Sequence, residues 1–285
     1  MRETRTRNKT AERKSSNAPA DRPRPTRRRL EKELSGVADA ERAKSSAWFF
    51  KTGQGEYGEG DRFLGIPVPL QRKIALKFRE LPLDDIAALL ESPIHEHRFA
   101  ALEILVAQYE RAAERDSERI VRFYLGNAKR VNNWDLVDTS APYILGQHLK
   151  NRPRDVLDKL AASTNIWERR IAIVSTLMLI KHGEIEDTFR IAQQLLGDEH
   201  DLIHKAVGWA LREAGKVSPQ QLIDFLHTHY DALPRTTLRY AIERFAPEER
   251  MRLLRLTKSG NAQSQAPARV RRAAVTRVRA RDSTA

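Results

Sequence analysis

The sequence predicts an all-α protein built as a solenoid of stacked helix pairs, and three observations support this fold class. Between residues 38 and 256, apolar side chains recur at i, i+3, i+4 and i+7, the spacing of amphipathic helices, with few β-branched alternations. Similar segments recur about every 35 residues. Each of them follows a second amphipathic segment and a turn. A period of this length with two helices per unit is typical of solenoids, in which each pair buries its apolar face against the next.

Five segments define the repeat when they are aligned on one position. They are RFAALEIL, WDLVDTSA, RIAIVSTL, KAVGWALR and RYAIERFA, which begin at Arg98, Trp134, Arg170, Lys205 and Arg239. The second helices of successive pairs in a solenoid line one concave surface. The aligned position therefore predicts a groove that presents four cations and one tryptophan. Asp138 and Trp209, one helical turn after the aligned position in their repeats, should face the same groove. A solvated surface would accept any polar residue here, so the recurrent cations favour a binding role.

The distribution of charge divides the chain into three predicted regions. The 285 residues include 51 Lys and Arg against 38 Asp and Glu, a net charge of +13. Residues 1–36 carry 12 basic and 5 acidic residues, residues 258–285 carry 7 and 1, and residues 37–257 are neutral with 32 of each. Both ends are polar and poor in apolar side chains, which predicts disordered basic arms around one repeat domain. The arms either solubilise the protein or add salt-dependent attraction to phosphates.

The composition excludes several classes of protein. The sequence has no cysteine, so disulfides, thiolate chemistry and cysteine-based zinc sites are impossible. No apolar run reaches the roughly 18 to 20 residues of a membrane span, and the N-terminus lacks the apolar segment of a secretory signal. We therefore expect a cytoplasmic protein that acts as a monomer and requires neither a membrane nor a protein partner.

Two motifs suggest sites that their context argues against. The segment GQGEYG, residues 53–58, matches the G-x-G-x-x-G dinucleotide pattern but follows a predicted helix rather than a strand, so we interpret it as a flexible loop. His95 and His97 are two residues apart, as are His227 and His229, and on a helix this spacing directs the rings to different faces. We therefore expect neither an organic cofactor nor a metal ion.

The residues with the clearest chemical content are Trp134 and Asp138, which share one helix face through their i, i+4 spacing. Arg170 and Trp209 are brought alongside by the neighbouring repeats. A carboxylate repels a polyanion, so its place in a cationic and aromatic groove indicates that positive charge is stabilised there. Cleavage of an N-glycosidic bond develops an oxocarbenium-like sugar, which a carboxylate and indole faces would stabilise. Asp135 and the preceding asparagines are expected to cap the helix or to point away.

Six longer segments closely resemble the AlkD-like family of DNA alkylation repair glycosylases. They are FLGIPVP (63–69), HEHRFAALEILVAQYE (95–110), VNNWDLVDTSAPYILG (131–146), WERRIAIVSTLMLI (167–180), DLIHKAVGWALREAGK (201–216) and LPRTTLRYAIERF (233–245). The resemblance extends from about residue 45 to 250. It implies a right-handed stack of HEAT-like repeats whose concave face holds duplex DNA. It also implies excision of cationic alkylated purines, chiefly 3-methyladenine and 7-methylguanine, in base excision repair.

The resemblance assigns roles to four residues through their motifs. The tryptophan and last aspartate of NNWDLVD are Trp134 and Asp138, the second arginine of WERR is Arg170, and the tryptophan of HKAVGW is Trp209. It implies that Asp138 stabilises the sugar cation and positions water, that both indoles hold the deoxyribose, and that Arg170 holds a phosphate. A purine that is already cationic leaves without protonation, so the enzyme need not grip the base.

Four further residues are candidates for DNA contacts: Arg98, Lys205 and Arg239 toward the backbone, and Phe49 through its ring. The family often places a tyrosine in the N-terminal helix, whereas Phe49 offers a ring without a hydroxyl. No lysine accompanies Asp138, so lyase chemistry through a Schiff base is not expected. Two alternatives remain open. A non-catalytic DNA-structure-binding relative should lack the carboxylate and tryptophans, and a protein-binding helical scaffold should have an apolar or acidic groove and no salt-sensitive DNA binding.

Overall fold

The structure is a computed structural model that describes residues 25–255. Within this range the chain is helical and contains no β-strand, as predicted. The helices are α1 (Arg27–Ser35), α2 (Ala40–Phe49), α3 (Val68–Ala75), α4 (Leu83–Leu90), α5 (His95–Tyr109), α6 (Glu114–Gly126), α7 (Trp134–Ser140), α8 (Asp155–Ala161), α9 (Ile166–Lys181), α10 (Glu186–Gln194), α11 (Asp201–Val217), α12 (Pro219–His229), α13 (Arg235–Ala241) and α14 (Pro247–Leu254). None of these helices is long and apolar enough to cross a bilayer. The predicted arm at 258–285, and residues 1–24 of the other arm, lie outside the described residues.

The helices from α4 to α13 form five consecutive pairs, which confirms the predicted solenoid. Each of the five aligned segments lies on the second helix of a pair. The second helices pack against one another in order, α5 on α7, α7 on α9, α9 on α11 and α11 on α13, and so form one continuous layer. The first helices pack against this layer, as α4 does on α5 and α8 on α9.

Helix α9 lies at the centre of the layer and is buried around most of its circumference. Ile171, Ala172, Ile173 and Val174 are all fully buried although they are consecutive. A helix that is apolar on every side requires neighbours on every side, and α9 contacts α7, α8, α10 and α11. Arg170, one residue before this apolar run, therefore lies on a helix that is packed on all sides.

Helix α7 continues into a π-helical turn at Pro142–Gly146, and this turn packs against α9. Proline donates no backbone hydrogen bond, and the Gly146 N–H reaches back five residues to the Ala141 carbonyl over 2.9 Å. A Cβ on Gly146 would lie 2.3 Å from the Ser175 carbonyl oxygen of α9. The glycine therefore permits a close approach that brings the residues of α7 beside Arg170.

The segment FLGIPVP joins α2 to α5 through a buried carboxylate. Glu96 accepts backbone hydrogen bonds from Leu64, Gly65 and Ile66, over 2.9, 2.8 and 3.3 Å. Gly65 has a φ of +78°, and a Cβ there would lie 2.2 Å from the Asp39 carbonyl oxygen. These contacts fix the start of α2 against this segment and, through Glu96, against α5.

The predicted disorder of residues 1–36 is wrong for Arg27–Ser35, which forms α1. Leu30 and Leu34 are one turn apart and fully buried, and α1 packs against α3, α4 and α5. The Thr26 side chain caps the helix by accepting a hydrogen bond from the Arg29 N–H. The folded domain therefore begins before the predicted boundary at residue 37, because two leucines at helical spacing outweigh the polar composition around them.

Candidate active site

A cavity of about 610 Å³ opens on the layer of second helices, where α7, α9, α11 and α13 meet the end of α2 and the loop after it. Six of the eight predicted site residues line it: Phe49, Trp134, Asp138, Arg170, Lys205 and Trp209. The solenoid geometry thus brings together side chains from repeats that are far apart in sequence. Arg98 and Arg239 do not line this cavity.

Asp138 and Arg170 form a bidentate ion pair on the wall of the cavity. Arg170 donates from Nε to Oδ1 over 3.0 Å and from Nη2 to Oδ2 over 2.8 Å. Its Nη1 donates to the Leu202 carbonyl oxygen over 2.7 Å. The arginine side chain is 6% exposed and the aspartate 22%, so the carboxylate is the partner that faces the cavity. This geometry fixes the carboxylate in one orientation.

The pairing revises the expected role of Arg170. We expected it to hold a phosphate, but its guanidinium is buried and already donates to Asp138 and to a backbone carbonyl. Burial raises the pKa of Asp138 above its ordinary value, and the charge and hydrogen bonds of Arg170 oppose this rise. The arginine therefore supports the ionised carboxylate.

Trp134 is held at the mouth of the cavity by a backbone cap and by two phenylalanines. Asn133 begins α7, and its side-chain oxygen accepts a hydrogen bond from the Trp134 N–H over 2.8 Å, as predicted for a cap. The Phe50 ring stacks on the indole with 5.2 Å between centroids. Phe49 meets the indole edge-on at 5.9 Å and remains 55% exposed, which leaves it available to a ligand.

Trp209 lies on α11 and separates the main cavity from a second one of about 430 Å³. Asp138 lines both cavities as well. The preceding residue, Gly208, allows α11 and α13 to approach closely, since a Cβ there would lie 2.7 Å from the Thr237 carbonyl oxygen. The two indoles thus come from different repeats and border the cavity that Asp138 faces.

A buried polar network that the sequence did not predict lies behind Trp134. The imidazole of His95 bridges two carboxylates, with Nδ1 3.2 Å from Asp61 and Nε2 2.8 Å from Asp135. Arg98 donates from Nη2 to Asp61 over 2.6 Å, and Asn133 donates to the same carboxylate over 3.3 Å. Phe50 and Phe63 cover the imidazole with centroid distances of 5.0 and 4.7 Å. The network ties the start of α7 to the start of α5.

One prediction fails at this network and another is extended by it. Arg98 was expected to face the DNA, but it is 3% exposed and its partner is Asp61, because the first repeat is covered by the loop that carries this aspartate. Asp135 was expected to cap α7 or to point away; its Oδ1 accepts a hydrogen bond from the Leu136 N–H over 2.9 Å in the first turn of α7, and its Oδ2 also bonds to His95. Burial lowers the pKa of His95, but the charge of Asp135 and the hydrogen bonds that the imidazole donates to Asp135 and Asp61 outweigh it and raise that pKa to about 9. The ring is therefore an imidazolium at neutral pH.

The remaining cations differ in their access to the cavity. Lys205 lines it and pairs with Asp201 over 2.8 Å at its exposed rim. Arg239 is exposed but does not line the cavity, because α13 turns the adjacent Tyr240 toward it. Lys205 therefore stands as a candidate DNA contact, and Arg239 does so only outside the cavity.

Among residues 25–255, no group of three His, Asp or Glu side chains is arranged to hold a metal ion. The ionisable residues of the site are instead bonded to one another, as Asp138 is to Arg170 and Asp201 to Lys205. The site thus presents a positioned carboxylate with aromatic and cationic neighbours.

The fold and the cavity together define an α-solenoid protein with an aromatic and carboxylate site on its inner layer. Residues 30–245 match the family model described as DNA alkylation repair enzyme. The chain belongs to this family, as its resemblance to the AlkD-like proteins implied. Its role is therefore in the repair of alkylated DNA.

One solved structure supports the fold independently. It is a predicted DNA alkylation repair enzyme from Enterococcus faecalis, with a TM-score of 0.59 and 19% sequence identity. The similarity covers 74% of this chain and 97% of that chain. A search of curated protein sequences gave no match.

Proposed function

We propose that the protein is a monofunctional DNA glycosylase that removes cationic N3- and N7-alkylated purines, such as 3-methyladenine and 7-methylguanine, from duplex DNA. The observation that carries the proposal is the fixed carboxylate of Asp138 in a cavity bordered by Trp134 and Trp209. A groove that only bound a polyanion would gain nothing from a carboxylate there. An oxocarbenium-like deoxyribose, by contrast, would be stabilised by the carboxylate and by the indole faces.

In the proposed reaction, the bond between C1′ and the purine nitrogen breaks and its electron pair leaves with the base. Alkylation has made the base cationic, so it departs as a neutral molecule without being protonated. The positive charge moves to the sugar, where the ionised Asp138 stabilises it. A water molecule, oriented by the carboxylate, then adds to C1′ and loses a proton to the solvent. The products are the free base and an abasic site.

Arg170 supports this step by holding Asp138 rather than by touching the DNA. The bidentate bond fixes both carboxylate oxygens, so little reorganisation is required when charge develops on the sugar. The guanidinium also opposes the rise in the pKa of Asp138 that burial causes. We therefore assign Arg170 as a positioning residue, and Asp138 as the catalytic one.

Lys205, which the sequence assigned to a backbone contact rather than to chemistry, lines the cavity. A Schiff base requires a neutral amine, and the hydrogen bond to Asp201 raises the pKa of Lys205 above its ordinary value. The ammonium form suits a contact with phosphate and opposes nucleophilic attack. This supports hydrolysis without lyase chemistry.

The test is single-turnover release of 7-methylguanine from duplex DNA, with the intact protein and Asp138→Asn compared at matched DNA affinity. We expect base release by the intact protein and a loss of about 10-fold or more in the variant, equivalent to about 1.4 kcal/mol of barrier. Asp116→Asn is the matched control, because this exposed aspartate lies on α6 and outside the cavity. Its rate should equal that of the intact protein.

Two results would overturn the proposal. DNA binding with no release above the spontaneous rate would favour a non-catalytic DNA-structure-binding protein. Binding to undamaged duplex that is absent, or insensitive to salt, would favour a protein-binding scaffold, because contacts with phosphates release counterions and weaken as salt rises.

A further inference from the structure

The glycine-rich segment after α2, which we interpreted as a flexible loop, is held at both ends. At its start, Phe50 stacks on Trp134, and at its end Asp61 bonds to His95 and Arg98. Two glutamates of the loop bond to its own backbone, Glu56 to the Gly53 N–H and Glu59 to the Gly55 N–H, each over 2.9 Å. The loop therefore has a defined shape beside the cavity.

The turn at the centre of this loop requires glycine at position 58. Its N–H donates to the Lys51 carbonyl over 3.0 Å, and a Cβ there would lie 2.3 Å from the Phe50 carbonyl oxygen. Any other residue would push the turn away from the end of α2. This close approach directs the preceding side chain, Tyr57, into the cavity, where it is one of the lining residues.

The Tyr57 ring is fixed by aromatic neighbours. It meets Trp167 edge-on with 6.2 Å between centroids and packs partly buried against the core. Its hydroxyl lies near the indole of Trp134. An indole nitrogen can only donate, so this neighbour does not accept the hydroxyl proton, which is left free for a ligand.

No protein group within residues 25–255 accepts that proton. The carboxylates around the cavity have other partners: Asp138 bonds to Arg170, Asp201 to Lys205 and Asp135 to His95. Burial raises the pKa of Tyr57, against the opposing effects of Trp134 and of the nearby Lys205 ammonium. The phenol is therefore neutral and a donor at the pH of the cell, next to a cation.

We infer that the Tyr57 hydroxyl and the Lys205 ammonium bind one phosphate of the DNA, next to the damaged nucleotide. A hydroxyl proton and a cation facing the same space suit an anionic oxygen, and in duplex DNA that oxygen belongs to phosphate. The inference rests on the proposed glycosylase function. It assigns to these two residues a contact that the sequence assigned to Arg170, and it places a phenol hydroxyl in the cavity where Phe49 has none. Tyr57 acts as a positioning residue that holds the sugar against Asp138.

The test combines Tyr57→Phe with DNA in which single phosphates are replaced by uncharged methylphosphonates. Phenylalanine keeps the ring against Trp167 and removes only the hydroxyl. We expect single-turnover release of 7-methylguanine to fall by about 10-fold in the variant, as a hydrogen bond to a charged group would require. Tyr109→Phe is the matched control, because this half-buried tyrosine lies outside the cavity, with its ring beside His148.

Methylphosphonate at one phosphate beside the lesion should slow the intact protein by more than Tyr57→Phe does, because the Lys205 contact is weakened as well. At that position Tyr57→Phe should release the base at nearly the rate of the intact protein, since the hydroxyl has lost its charged acceptor. The inference is overturned if Tyr57→Phe releases the base as fast as the intact protein. It is equally overturned if Tyr57→Phe remains about 10-fold slower than the intact protein at every position of the methylphosphonate in the DNA, since the hydroxyl would then act on water or on the base. Release by the intact protein, and its loss in Asp138→Asn, separate these results from failure of the proposed function itself.

Discussion

The bridging imidazole of His95 predicts a specific dependence of stability on pH. Its pKa rises from 6.5 to about 9 in the folded protein, because Asp135 and Asp61 stabilise the imidazolium more than burial destabilises it. A pKa that is raised by folding gives stability that is complete below pH 6.5 and is lost as the pH rises to about 9. The rise in the pKa from 6.5 to about 9 corresponds to about 3 kcal/mol of unfolding free energy.

The assay is urea denaturation followed by circular dichroism at intervals between pH 6 and 9.5. The intact protein should lose about 3 kcal/mol of unfolding free energy over this range, whereas His95→Gln, which cannot titrate, should lose much less. His200→Gln is the control. Burial lowers the pKa of His200, so this residue titrates below pH 6.5 and its variant should keep the slope of the intact protein. Equal slopes in the intact protein and His95→Gln would refute the reasoning.

Three other predictions concern the first helix and the site. Leu34→Ala should lower the free energy of unfolding, measured by urea denaturation, by about 2 to 5 kcal/mol because the side chain is fully buried. Leu76→Ala should lower it far less, because Leu76 is 45% exposed. Equal losses in the two variants would place α1 outside the folded domain. Trp134→Ala should reduce single-turnover release of 7-methylguanine by about 10-fold through loss of the cation–π contribution, with Trp134→Phe in between, and an unchanged rate would remove the indole from the mechanism. The rate of base release should fall as the pH decreases, because only the ionised carboxylate of Asp138 is active. The midpoint of this fall should lie above pH 3.8, because burial raises the pKa of Asp138. A midpoint at or below 3.8 would contradict this prediction.

The repeat architecture and most of the site followed from the sequence because both depend on periodicity. Aligned positions on successive second helices share one layer, so Trp134, Arg170, Lys205 and the residues one turn later could be grouped without coordinates. The resemblance to the AlkD-like family added the assignment of roles, and the family itself is confirmed.

The failures occur where contacts between distant segments override the repeat. Arg98 occupies the repeat position of Arg170, but the loop that carries Asp61 covers the first repeat and draws the arginine inward. Leu30 is hidden in a stretch whose composition is that of a disordered arm. Tyr57 could have been noticed, because a tyrosine flanked by glycines after an aromatic helix end is a candidate for insertion into a site. The direction of the Tyr57 side chain depends on the turn at Gly58, and such a turn cannot be predicted from the helical repeat pattern.

The most direct test of the proposed mechanism is the dependence of base release on the charge of the leaving group. Matched duplexes would carry either 7-methylguanine, which is cationic, or hypoxanthine, which is neutral, and single-turnover release would be compared with the spontaneous rate for each. We predict that the intact protein accelerates release of 7-methylguanine and leaves hypoxanthine at its spontaneous rate, because the cavity stabilises the sugar and does not protonate the base. Comparable acceleration of both, or of neither, would contradict that mechanism.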